Sequence, residues 1–284
     1  MKISFEQVKK NIARERARKL LRWPPVYALG QVMVRRNLIK FPYRATAMMV
    51  EYGLEQTGKA YSRSFPSVWT SAFFPTELLY ALNITPFSPE VAAALVAALG
   101  FQGNFLQEAE SRWWSRDNCS FHRCAMGGLF TKYYPLPGAF CASSHLCDGA
   151  VFLFRNLAQH FERSFLLLDT PLQHDEDSLR YVMAQLEEII VQLQRIFATT
   201  LKTGKLEESV ANAEKARRAM LKVNELRLDP DCPFTAQEAF NHLYLYFTGL
   251  GSEAMPRIYE TLAQELAEKI EAAGEPKKTP RYKL

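Results

Sequence analysis

The sequence has 284 residues, of which 48% are hydrophobic and 12% are aromatic. A chain of this composition can bury a large core, which excludes an intrinsically disordered protein. It contains no apolar run near the roughly 18 residues of a transmembrane helix, and no signal-peptide pattern opens it. We therefore expect a cytoplasmic protein with no membrane partner.

The first zone, residues 1–63, is basic and has a mostly helical pattern, so we predict a helical N-terminal extension. No acidic residue lies between Glu15 and Glu51, whereas eight basic residues fall there: Arg16, Arg18, Lys19, Arg22, Arg35, Arg36, Lys40 and Arg44. Such a surface can hold nucleic acid, an acidic partner or the phosphates of coenzyme A, or it can simply be solvated. No nucleic-acid-binding motif accompanies the charge, so we predict no nucleic-acid partner.

The second zone, residues 64–173, alternates short β-type runs with helical stretches. Strands are predicted over residues 68–73, 83–87, 139–142 and 165–168. Helices are predicted to open at 75–77 and 88–90, and another spans about 147–162. Strands that alternate with helices indicate a parallel sheet covered on both faces. We predict a small parallel α/β domain of the Rossmann or flavodoxin-like type.

The third zone, residues 174–284, has an almost wholly helical pattern. Apolar residues recur at steps of three and four between Leu179 and Phe197, which predicts one long amphipathic helix. Asp175, Glu176 and Asp177 precede it, where the helix dipole favours negative charge. Further helices are predicted over about 206–228, 235–247 and 252–272. We expect no strand between residues 178 and 198.

Four of the five cysteines, Cys119, Cys124, Cys141 and Cys147, lie within 29 residues, and His122 and His145 lie between them. Clustered thiols and imidazoles favour a soft metal. The gaps of four and five residues between the paired cysteines disfavour a structural zinc site, which usually has two.

Position separates these cysteines into two kinds. Cys119 heads a predicted helix and Cys147 heads another just after a strand, and a helix N-terminus lowers a thiol pKa. Both would lie beyond the carboxyl ends of parallel strands, where open α/β sheets bind ligands. Cys124 and Cys141 have apolar neighbours and are interpreted as buried thiols. Cys232 lies in a predicted loop between helices, where we expect no role for it.

Five segments carry a resemblance to a known family, and they occur in the family's order: Phe74–Leu82 followed by Ile84–Pro86, Asn118–Arg123, Ser144–Asp148, Phe165–Pro171 and Val223–Arg227. Together they resemble subunits of the 2-hydroxyacyl-CoA dehydratase / benzoyl-CoA reductase family. The resemblance covers nearly the whole chain.

The resemblance implies an acyl-CoA substrate, a 4Fe–4S cluster held by three cysteines between two α/β domains, a second subunit of the same type, and an ATP-dependent activator as electron donor. Within this chain, Cys119 and Cys147 resemble two cluster ligands. Glu77 is a candidate acid/base, or else a charge at a helix N-terminus. Ser71 is a candidate for contact with cluster or substrate, or else occupies a strand end.

The chain departs from the family pattern at the third cysteine, which the family carries in a second domain beyond the helical zone. We expect this chain to stop where that domain would begin. It would then be a fragment, a split half-subunit or a member without a standard cluster. Two hypotheses remain: a subunit of a radical-type dehydratase or reductase, and a non-catalytic assembly or regulatory relative.

Overall fold

A four-stranded parallel sheet organises the centre of the chain. The computed structural model describes residues 15–112 and 114–273. The strands are β1 (Ser67–Thr70), β2 (Thr85–Phe87), β3 (Ala139–Ser143) and β4 (Ser164–Leu168). They are all parallel and lie in the order β2-β1-β3-β4. The prediction of an α/β fold is therefore confirmed.

Helices connect and surround these strands. The described part of α1 is residues 15–21. The others are α2 (Pro25–Arg35), α3 (Arg44–Tyr61), α4 (Thr76–Ala81), α5 (Pro89–Ala98), α6 (Gln102–Ser111), α7 (Ser120–Phe130), α8 (Asp148–His160), α9 (Glu176–Phe197), α10 (Lys205–Leu226), α11 (Ala236–His242), α12 (Tyr244–Thr248) and α13 (Ala254–Ala273). Within the described residues, no helix combines the length and apolar character needed to cross a membrane.

The two faces of the sheet belong to two separate cores. Trp69, Phe140 and Ala142 pack against α5, α6, α7 and α8. Val68 and Cys141, from alternate positions of the same strands, pack against α4 and α9. Successive side chains of a strand point to opposite faces, so strands covered on both sides are apolar throughout. This is why β3 and β4 contain short continuous apolar runs, over residues 139–142 and 165–168.

A third core joins the two ends of the described chain. Residues of α3 pack with α10, α11, α12 and α13 around side chains such as Tyr52, Met255 and Leu262. The first and third zones of the sequence therefore share one buried helical interior. Residues 1–14 and 274–284, which complete these zones in our prediction, lie outside the described residues.

The long helix predicted over 179–197 is α9, and it begins at Glu176. The Asp175 side chain caps it by accepting a hydrogen bond of 2.8 Å from the backbone N–H of Ser178. Residues 178–198 contain no strand, as predicted. The helix predicted over 235–247 is divided, because α11 ends at His242 and α12 begins at Tyr244. Neither glycine nor proline marks that break.

Candidate active site

The candidate site lies at the carboxyl edge of the sheet, where β1 and β3 end side by side. Beyond the strand ends, the backbone N–H of Ser71 donates to the carbonyl of Cys141 at 3.0 Å. The Ser71 hydroxyl accepts from the backbone N–H of Ser143 at 2.9 Å. Ser71 is only 1% exposed, so its hydroxyl is buried within the carboxyl edge of the sheet. It fixes the loop after β1 to the loop that carries Cys147.

Cys147 and Cys119 occupy equivalent places at the starts of two helices. Cys147 is the N-cap of α8 and Cys119 is the N-cap of α7, and both are exposed. The sulfur of Cys147 lies 4.0 Å from Nε2 of His122, three residues after Cys119 in the first turn of α7. His122 thus connects the two helix starts. Both thiols therefore lie at helix N-termini, beside backbone N–H groups that have no partner within the helix.

His122 fits beside Cys147 because residue 149 has no side chain. A Cβ atom on Gly149 would lie 3.1 Å from the His122 ring and 3.6 Å from the Cys147 sulfur. Burial lowers the pKa of His122, so its imidazole is neutral at pH 7 and can donate a hydrogen bond or bind a metal.

The cysteines that the sequence assigned to the core are indeed buried. Cys124 is 3% exposed and Cys141 is 0% exposed. Burial raises the pKa of both thiols, which disfavours the thiolate that a metal requires. Cys232 is partly buried and packs against the helical core. Among the described cysteines, only Cys119 and Cys147 are exposed.

A 4Fe–4S cluster on three protein thiolates needs more donors than this part of the chain brings together. Within residues 15–112 and 114–273, no three side chains of His, Cys, Asp or Glu form a group that could hold a metal ion. Cys119 and Cys147 are exposed, soft donors and fit as part of a cluster's ligand set. They do not complete it.

Glu77 lies in the first turn of α4. Its neighbours come from the C-terminal helical region, namely α10 and the segment before α13. Its backbone carbonyl accepts a 2.9 Å hydrogen bond from the hydroxyl of Ser209 in α10. A Cβ atom on Gly251 would approach the Cα of Glu77 to 2.8 Å. Burial raises the pKa of Glu77, and its Oε2 has no hydrogen-bond partner among the described residues. Burial therefore favours the protonated form of this carboxyl group.

Glu90 is a second carboxyl group at this edge, and our sequence analysis did not select it. It lies in the first turn of α5, just after β2, and accepts hydrogen bonds from the Ser88 hydroxyl and the backbone N–H of Ala72. Burial raises its pKa to about 7. Ala72 is adjacent to Ser71, so Glu90 contacts the candidate site directly. The signal available in the sequence was an acidic residue in the turn that follows a buried strand.

The sequence matches the family model described as 2-hydroxyglutaryl-CoA dehydratase, D-component, over residues 71–284. Similar proteins include the (R)-phenyllactyl-CoA dehydratase alpha subunit of Clostridium sporogenes, with 24% identity over 71% of this chain and 52% of the relative. Another is the (R)-2-hydroxyisocaproyl-CoA dehydratase alpha subunit of Clostridioides difficile, with 23% identity over 75% of this chain and 54% of the relative. The chain spans about half the length of these two relatives.

A third relative is the (R)-2-hydroxyglutaryl-CoA dehydratase subunit alpha of Acidaminococcus fermentans, with 24% identity over 48% of this chain and 29% of the relative. The family match begins at Ser71, so it contains every candidate site residue described above and leaves α1, α2, α3 and β1 outside it. Because it covers well over half of the sequence, the chain belongs to the 2-hydroxyglutaryl-CoA dehydratase D-component family.

Proposed function

We propose that this chain is a subunit, or half of a split subunit, of an enzyme that removes water from a 2-hydroxyacyl-CoA thioester. The observation that carries the proposal is the pair of exposed thiols, Cys119 and Cys147, at the starts of α7 and α8 beside His122. The three relatives are all named as 2-hydroxyacyl-CoA dehydratase subunits. This favours dehydration over the reduction of an aromatic acyl-CoA.

In this proposal Cys119 and Cys147 contribute two thiolates to a 4Fe–4S cluster, and another polypeptide segment contributes the third. When bound, the cluster supplies a low-potential electron that no side chain can provide, and an ATP-dependent activator protein delivers that electron to it. The two buried thiols cannot complete the set, because Cys124 and Cys141 belong to the cores on either side of the sheet.

The residues of the edge also suit proton transfer to and from the substrate. A carboxyl group with a pKa of about 7, as at Glu90, can donate or accept a proton at neutral pH. We therefore propose Glu90 and Glu77 as equal candidates for the acid/base role. Ser71 acts by holding the loops after β1 and β3 together.

Exposed apolar surface on the β4 side of the sheet supports a partner subunit. In the described part of the chain, β4 pairs with β3 alone, and α9 lies beside it. Several large apolar side chains around this strand and helix are exposed: Leu172 (97%), Leu179 (60%), Met183 (50%) and Val191 (45%). Concentrated exposed apolar surface commonly marks a protein interface.

A non-catalytic assembly subunit is the second candidate, because the described residues do not complete a metal site. Iron and acid-labile sulfide in anaerobically reconstituted protein separate the two functions. We expect little iron on the chain alone and near-stoichiometric cluster once a dehydratase-type partner is co-expressed. Cys119→Ala or Cys147→Ala should abolish that gain, whereas the control Cys232→Ala should not.

Two results would contradict this proposal in different ways. A full cluster on the chain alone, unaffected by Cys119→Ala, would refute both the choice of ligands and the need for a partner. Absence of iron from every reconstituted complex would favour the assembly function.

A further inference from the structure

Two residues at the carboxyl edge have a backbone conformation that bulky side chains rarely adopt. Among the described residues, seven that are not glycine have positive φ. Five of them lie directly past helix ends, where a left-handed residue is an ordinary stop: Asn37, Asn83, Lys132, Glu162 and Ala198. The other two are Phe73 (φ 62°) and Leu146 (φ 74°), which follow β1 and β3. For side chains of this size the conformation is strained.

Burial in a core does not explain this strain. The Phe73 side chain is 47% exposed and the Leu146 side chain is 69% exposed. Packing in the interior can offset the cost of a strained backbone. These two residues instead leave much of their apolar surface in solvent. Strained residues of this kind cluster at ligand-binding sites, where the geometry serves recognition.

The two residues belong to the candidate site. Phe73 lies two residues after Ser71, and Leu146 lies directly before Cys147. The rings of Phe73 and His145 meet edge to face with their centroids 5.8 Å apart, so the two loops are in contact. On its other side the Phe73 ring lies 6.0 Å from Phe247 of α12.

Each of the two loops exposes one large apolar side chain, Phe73 or Leu146. Residues 71–75 read Ser-Ala-Phe-Phe-Pro and residues 143–147 read Ser-Ser-His-Leu-Cys, with no aspartate, glutamate, lysine or arginine. Such a surface favours the binding of an apolar group. It has no lysine or arginine that could pair with a carboxylate on the side chain of a ligand.

We propose that Phe73 and Leu146 receive the acyl side chain of the substrate, and that the substrates are 2-hydroxyacyl-CoA thioesters with an aromatic or branched apolar side chain. This inference rests on the proposed dehydratase function and adds the substrate class to it. The positive φ values hold both side chains in solvent beside Ser71 and Cys147. Substrate binding then removes their apolar surface from water.

Equilibrium binding to the complex of this chain with a co-expressed dehydratase-type partner tests the proposal, with phenyllactyl-CoA, 2-hydroxyglutaryl-CoA and free coenzyme A as probes. We expect phenyllactyl-CoA to bind at least about tenfold more tightly than the other two, because binding would bury its phenyl group against the two exposed side chains. The double variant Phe73→Ala/Leu146→Ala should lose that preference. Leu99→Ala, at a 69% exposed apolar side chain directly after α5, is the matched control and should retain it.

The outcomes distinguish this inference from the function it rests on. Equal binding of the two thioesters by the unaltered chain, or a preference that survives the double variant, overturns the substrate class and leaves the dehydratase proposal intact. Failure of the complex to bind any acyl-CoA thioester more tightly than free coenzyme A contradicts the dehydratase proposal itself, and this inference fails with it.

Thermal unfolding gives a second and independent readout. Phe73→Gly and Leu146→Gly each relieve the strained φ, so the melting temperature should be unchanged or higher while the preference for phenyllactyl-CoA is lost. Glu162→Gly, at φ 52° after α8, is the control that relieves backbone strain and leaves binding unchanged. A loss of stability in Phe73→Gly as large as that of a core truncation would assign Phe73 a structural role and overturn the proposal.

Discussion

Replacing Glu90 by glutamine tests the charge state of the carboxyl group at the end of β2. Glu90 accepts hydrogen bonds from the Ser88 hydroxyl and from the backbone N–H of Ala72, but burial has the larger effect and raises its pKa from 4.5 to about 7. Glutamine has nearly the same shape and keeps an acceptor oxygen. The substitution therefore removes the ionisation and preserves the packing.

The expected magnitude follows from the two pKa values. Each pH unit between 4.5 and about 7 corresponds to about 1.4 kcal/mol, so ionised Glu90 costs the folded protein on the order of 3 kcal/mol. Below pH 4.5 the group is protonated in both folded and unfolded chains and costs nothing. As the pH rises from 4.5 to about 7, the free energy of unfolding of the unaltered chain should fall relative to that of Glu90→Gln. Above that pH the difference should be constant.

Urea unfolding at a series of pH values from 5 to 8.5 measures this difference. Glu187→Gln, on the exposed side of α9, is the control and should follow the unaltered chain throughout. A stability difference between Glu90→Gln and the unaltered chain that does not change with pH would refute the reasoning, because it would show that Glu90 has an ordinary pKa. Loss of dehydratase activity in Glu90→Gln with retained cluster would support its acid/base role.

Two further predictions concern the cysteines and the glycines of α6 and α7. Under native conditions, iodoacetamide should modify Cys119 and Cys147 well before Cys124 and Cys141, as followed by peptide mass spectrometry, and equal rates would contradict the assignment of exposed and buried thiols. Gly127→Ala should destabilise the fold by at least about 2 kcal/mol, because its Cβ would lie 1.9 Å from the carbonyl oxygen of Phe105. Gly103→Ala, with open space around its Cβ, should instead stabilise α6 by roughly 0.5–1 kcal/mol in the same denaturation assay.

Regular elements were predictable because their patterns are local. The strands β3 and β4 contain continuous apolar runs, and α9 repeats its apolar residues at the period of a helix. The contrast between exposed Cys119 and buried Cys141 also followed from their neighbours, since one precedes a helix and the other lies inside a strand. In each case, residues within a few positions determine the outcome.

Features that depend on contacts between elements were not predictable in this way. The first strand was expected to continue to Phe73, but β1 ends at Thr70 and Phe73 takes a left-handed conformation. Ser88 and Glu90 were correctly interpreted as the start of a helix. The raised pKa of Glu90 was missed, because it requires burial beside the loop after β1. No pattern around residue 90 encodes that loop.

The helical region also helps to shape the carboxyl edge of the sheet. The helix α4 begins three residues after Phe73, and residues far along the chain hold its first turn. The Thr76 hydroxyl donates to the carbonyl of Leu250 at 2.7 Å, and the hydroxyl of Ser209 donates to the carbonyl of Glu77 at 2.9 Å. Because α4 cannot shift without breaking these bonds, the loop between Ser71 and α4 is fixed at both ends. The strained conformation of Phe73 can persist only in a loop constrained in this way, so α10 and the segment before α13 take part in shaping the site.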